Sequence, residues 1–219
     1  MYSATKQPGL RDRYIIVGLI ILSLVPSLAG IVRVVSLAGG ETINADNERF
    51  HAAPLPVILH IAASLFYCLA GAFQFAPGFR AKHGNWHRQS GRFIAAAGLV
   101  SAITGLVMTL TYSAAANDGP ALFYNRLIIA PAMVVCLLAG VYAVMKKNLQ
   151  SHGAFMLRAY ALGQGAGTQV FTHIGYMLLV ATPTGHSRDA MMALGWLINI
   201  VIAEWIIWRR RRRGLGSIG

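Results

Sequence analysis

Runs of mostly apolar residues, each about 20 long, alternate with short polar stretches near 14–36, 55–77, 91–114, 121–145, 154–181 and 188–208. At 1.5 Å per residue a helix of that length crosses the ~30 Å hydrocarbon core of a bilayer. The pattern predicts an all-α fold, a polytopic membrane helix bundle of about six transmembrane helices. It forms one membrane domain over residues 1–219, with a basic tail at 209–219. Helices two to five are expected to form a four-helix core, with helices one and six peripheral. The first run follows Lys6, Arg11 and Arg13 as a signal sequence would. It is long for such a segment and its end, VRVVSLAGG, is weakly cleavage-like, so it is read as a helix.

Polar positions inside the runs carry a second pattern. His60, Ser64, Tyr67, Gly71 and Gln74 recur at intervals of three and four, which sets them along one face of the second helix. Arg158, Leu162, Gly165, Gln169, Thr172, His173 and Tyr176 form a comparable seam on the fifth, with Gly163 and Gly167 thinning the adjoining face. Small residues at that density point first to tight helix contacts, and a flat cofactor would use the same glycines. Glu204 is a carboxylate placed inside a span, near the inner end of the sixth run, with Arg158 or Arg92 as its expected partner.

Charge then orients the bundle. Lys6, Arg11, Arg13, Arg80, Lys82, Arg88, Arg92, Lys146, Lys147, Arg158 and the run Arg209 to Arg213 fall on one side, whereas Arg33, Arg49, Arg126 and Arg188 fall on the other. The positive-inside rule makes the first side cytoplasmic, N-in and C-in. The net charge of +12 is therefore spent on topology, and no nucleic acid is expected as a partner. Composition agrees: 12% of residues are charged, against about a quarter in soluble domains. Cys68 and Cys136 lie inside apolar runs and are read as small hydrophobes, not a disulfide.

Candidate chemistry rests on histidine. His51 and His186 fall in outer loops. His60 lies about 8 Å and His173 about 12 Å inward from the outer ends of their helices, so the two are expected to meet in the outer leaflet. His83, His87 and His152 gather at inner loop–helix junctions, in and beyond RAKHGNWHRQSGR. Imidazoles from two helices suit the axial positions of a b-type haem, one or two per chain. His60 with His173 would serve an outer haem and His87 with His152 an inner one, with Arg126, Arg92 and Arg158 placed for propionates. Alternatively, His83, His87 and His152 offer three nitrogens to zinc or iron. The sequence has no phosphate-cradling P-loop, HExxH or GxSxG motif, which leaves nucleotide, metalloprotease and hydrolase chemistry without support.

The order ERFHAAPLPVILHIAASLFYCLAGAFQF, FRAKHGNWHRQSGR and SHGAFMLRAYAL resembles a bacterial integral-membrane family known as domain of unknown function 2306, over roughly residues 48–165. The pattern RFH, a helical His, GxFQF, HRxxGR and HxxxMxRxYA carries the resemblance, which implies a place in the bacterial inner membrane and no activity. NWHRQSGR is more loosely similar to the His-x-x-x-Gly segment of transmembrane di-haem cytochromes b and ferric reductases, with His87 as the matching histidine. Those proteins space two histidines on one helix by roughly 20 Å, whereas His152 and His173, twenty-one residues apart, would be about 31 Å apart.

The function expected is a membrane-embedded, b-type cytochrome-like electron-transfer protein, an oxidoreductase component. Its partners would be the lipid bilayer and an electron donor and acceptor, with an oligomer left open. The other expectations are a small-solute carrier, an accessory subunit of a membrane complex, or a membrane metal site.

Overall fold

A computed structural model describes residues 9–215, with side chains described through residue 212. Lys6, the side chain of Arg213 and the end of the basic tail at 216–219 lie outside the described residues. Helices α1 (Leu10–Ala38), α2 (Glu48–Ala52), α3 (Pro54–Gly71), α4 (Pro77–Lys82), α5 (Gly84–Thr111), α6 (Pro120–Met145), α7 (Leu149–Gly163), α8 (Gly165–Leu179) and α9 (His186–Leu215) follow in order. No strand occurs among the described residues. Among the described residues, five helices are long and apolar enough to cross a membrane: α1, Pro54–Phe75, α5, α6 and His186–Arg212. The fifth apolar run, expected as one span, is divided between α7 and α8, each 15 residues and about 22 Å long.

The chain divides into two compact units, one up to Tyr112 and one from Ser113 onward. In the first, α1, α3 and α5 run up, down and up. Gly30 of α1 meets Ile61 of α3, and Gly78 meets Asp12 at the other end. Contacts from α3 to α5 keep one antiparallel register: the Tyr112 hydroxyl donates to Ala53 O, Ser64 faces Ser101, and Gln74 donates to Ser90. The polar seam on the second helix therefore faces α5, with Tyr67 and Gly71 buried along it.

RAKHGNWHRQSGR, read as a loop and helix start, is nearly all helical, divided between α4 and α5 by His83 alone. Proline opens α4, where its missing N–H costs nothing. An aromatic cluster then holds the two helices together: Trp86 stands edge-on to Phe79 at 5.2 Å and to Phe73 at 6.1 Å. That packing lets α5 begin well before its apolar stretch.

In the second unit α6 runs antiparallel to α7, and α9 antiparallel to both α7 and α8. Helix six, expected at the periphery, thus packs along the whole broken fifth run. The α6–α7 turn closes as a Schellman motif: Asn148 N–H donates to Ala143 O at 2.9 Å and Lys147 N–H to Val144 O at 3.0 Å. Asn148 also caps α7, its side chain accepting from Ser151 N at 3.0 Å. Lys147 occupies the left-handed position at φ 59°, where glycine is usual.

Lys147→Gly is expected to stabilise the protein by about 1 kcal/mol by removing a strained Cβ. The measurement is the midpoint of thermal unfolding in detergent, which should rise. A fall would mean that the lysine side chain itself contributes more than the backbone strain costs.

Candidate functional site

In the first unit, His60 of α3 sits against α5, its Nδ1 2.8 Å from Ser101 O and 3.3 Å from Thr104 Oγ1. A carbonyl can only accept, so Nδ1 carries a proton, and in the neutral ring Nε2 keeps its lone pair. Gly105 makes room for the ring, because a Cβ there would come within 3.2 Å of His60 Cε1. Thr104 Oγ1 turns to its own helix, donating to Val100 O at 2.6 Å.

The second unit repeats this arrangement at two histidines. His152 Nδ1 lies 2.9 Å from Gly140 O across the α6–α7 contact, and His173 Nδ1 lies 2.7 Å from Gln169 O one turn back on α8. Each of these imidazoles again carries a proton at Nδ1, and in the neutral ring Nε2 is the open nitrogen. For His173 that Nε2 is buried and has no hydrogen-bond partner among the described residues.

The remaining candidates are placed differently. His87 lies at the start of α5, half-buried; His83 is exposed at its N-cap, its ring 4.7 Å from Phe79. His60 is level with Ser101, fourteen residues beyond His87 on α5, so the two stand about 21 Å apart along the helix axis. Both expected haem pairs, His60 with His173 and His87 with His152, have one member in each unit. The trio His83, His87 and His152 is likewise divided. No group of three or more His, Cys, Asp or Glu side chains suited to a metal ion is gathered among the described residues.

Two of the three propionate candidates are engaged by carboxylates. Arg158 takes Glu204 through Nε at 2.5 Å and a second guanidinium nitrogen at 2.8 Å, forming the ion pair expected for Glu204. Arg126 lies 3.3 Å from Asp118, which also holds Arg188 at 2.7 Å. Arg92 is exposed on α5. Cys68 and Cys136 are thiols in separate units, not joined in a disulfide.

The seam on the fifth run faces α9. Gln169 Nε2 donates to Met192 O at 3.0 Å, Thr172 Oγ1 to Met191 O at 2.8 Å, and Gly165 lies directly against the Trp196 indole. Asn199 completes the contact at the break. Its Nδ2 donates to Ala161 O at 3.0 Å, the carbonyl that Gly165 N–H would take in an unbroken helix, and its Oδ1 accepts from Thr168 at 2.6 Å. Gln164 turns back to Tyr160 Oη at 2.8 Å. Small residues here serve helix packing, the simpler of the two uses expected for them.

Asn199 and Asp189 were missed in the sequence. Asp189, 3% exposed, caps α6 from α9: its two carboxylate oxygens accept from Gly119 N and Ala121 N, each at 2.9 Å. The available signal was a lone amide in GWLINIVIAEW, and a lone acid ahead of it in SRDAMMALGW.

These long apolar helices, with side-chain polarity turned onto neighbouring helices, define a polytopic helical membrane protein. The chain belongs to the family described as "Predicted membrane protein (DUF2306)", whose model matches residues 57–207 and so takes in His60, His87, His152, His173 and Glu204. No curated protein and no solved structure matches it.

Asn199→Leu should destabilise the protein by about 1–3 kcal/mol, because it leaves the Thr168 hydroxyl and the Ala161 carbonyl unpaired in a buried contact. A lowered unfolding midpoint in detergent is the expected result. An unchanged midpoint would mean that the break does not depend on this side chain.

Proposed function

We propose that the protein is a b-type cytochrome-like electron-transfer component of the bacterial inner membrane, with haem held by histidines of its apolar helices. One observation carries this reading. His60, His152 and His173 each donate from Nδ1 to a main-chain carbonyl, which fixes the tautomer and leaves Nε2 to bind. Such an outer hydrogen bond orients an imidazole and raises its basicity as a metal ligand. The buried, unpartnered Nε2 of His173 is the strongest case, since a buried nitrogen without a partner costs free energy that an iron ligand bond would recover. His87 is the fourth histidine in the assignment. Haem would supply one-electron redox chemistry, and the chain's part is to hold the axial nitrogens in a low-dielectric setting that tunes the potential.

The carrier alternative draws on the break between α7 and α8, since transporters build their sites at discontinuous helices. Here Gln164, Thr168 and Asn199 bond to groups of the protein itself. The break is thereby sealed, and this favours the redox reading.

The test is a dithionite-reduced minus oxidised spectrum of detergent-purified protein, with a pyridine haemochrome assay of haem per chain. A b-type α-band is expected, with haem lost in His60→Ala and His173→Ala and retained in His186→Ala. Well-folded, colourless protein from haem-replete cells would overturn the proposal. Zinc or iron without porphyrin, lost in His87→Ala or His152→Ala, would establish the metal site instead.

A further inference from the structure

α9 remains helical through the arginine run, where residues 209–212 are all exposed, and its two sides differ just ahead of it. Ala203 and Ile207 are buried, at 1% and 5% exposure. Trp205 and Arg209 are four residues apart, as are Trp208 and Arg212, and the two pairs are offset by three, which places all four in one stripe on the opposite side. All four are exposed, the two indoles by half or more. The guanidinium of Arg209 lies 4.7 Å from the Trp205 ring centroid and that of Arg212 lies 4.2 Å from the Trp208 centroid. By helical phase Arg210 falls on the side of Ala203 and Ile207, and Arg211 toward Glu204.

We propose that this stripe is a binding surface for the phosphate headgroup of an anionic phospholipid. Indoles settle at the headgroup level of a bilayer, with their rings toward the chains and the N–H toward water. Stacking on an indole holds each guanidinium in place, so less rotamer entropy is lost when its N–H fork meets a phosphate. Two such pairs one turn apart form a preorganised cationic ledge just outside the apolar stretch. A basic run needed only for topology would have no use for this ordering, because the positive-inside rule counts charges without regard to helix face.

The full-length protein is reconstituted in phosphatidylcholine vesicles carrying spin-labelled phosphatidylglycerol or spin-labelled phosphatidylcholine, and the motionally restricted lipid fraction is compared. Phosphatidylglycerol should be preferred by about tenfold. The double variant R209Q/R212Q should abolish the preference and W205L/W208L should weaken it, whereas R210Q/R211Q, which removes the same charge, should retain most of it. Equal losses in the two arginine variants would reduce the effect to net charge and overturn the proposal, as would no preference in the unaltered protein. Complete displacement of the lipid by inorganic phosphate would make this a site for the free anion, which also overturns it.

Discussion

A hydrocarbon core offers no hydrogen bonds, so every polar group on a spanning helix has to find its partner within the protein. The hydroxyls of Ser23, Thr109 and Thr111 meet this demand locally, each donating to the carbonyl four residues back. Amides, imidazoles and ions cannot do so as easily, and they set the pairing of helices. In the first unit the polar line of α3 fixes the register of α5. In the second, α9 is held to the broken run by Glu204, Asn199 and the main chain at Met191 and Met192. Apolar packing against lipid distinguishes poorly between helix faces, whereas these few polar contacts specify them.

The same constraint explains which features the sequence disclosed. The seam from His60 to Gln74 was legible because one continuous helical stretch, Pro54–Phe75, carries all of it at helical spacing, and the Arg158–Glu204 pair because so few acids occur in the spans. The break at Gln164 was hidden. Gly163, Gln164 and Gly165 could equally belong to a smooth, closely packed helix, and only Asn199, thirty-eight residues after Ala161, shows that the freed carbonyl is satisfied. The early start of α5 was hidden for a similar reason. Gly84 and Asn85 are poor helix formers, and the compensating contact is between Trp86 and aromatic rings on other elements.

For the candidate site, sequence reasoning reached the residue types but not their protonation. Spacing could nominate His60, His152 and His173. It could not tell which ring nitrogen of each is committed, because the acceptors are main-chain carbonyls at Ser101, Gly140 and Gln169. Any residue provides a carbonyl, so this part of the arrangement leaves no mark in side-chain chemistry. Arg126 shows the converse. It looked available for an anionic ligand, yet Asp118 holds it.

Three histidines anchored alike separate two uses of buried imidazole. A histidine kept only for packing gains most when both nitrogens are paired, since an unpaired buried nitrogen is a standing cost. One kept as a ligand needs a single anchored N–H and an opposite nitrogen left open. At His173 the Nδ1 is satisfied by its own helix, and the buried Nε2 has no hydrogen-bond partner among the described residues. α8 places that nitrogen without help from another helix, so α9 closes the break at Gln164 without engaging the His173 ring. Structural polarity and candidate chemistry thus occupy different residues of one seam.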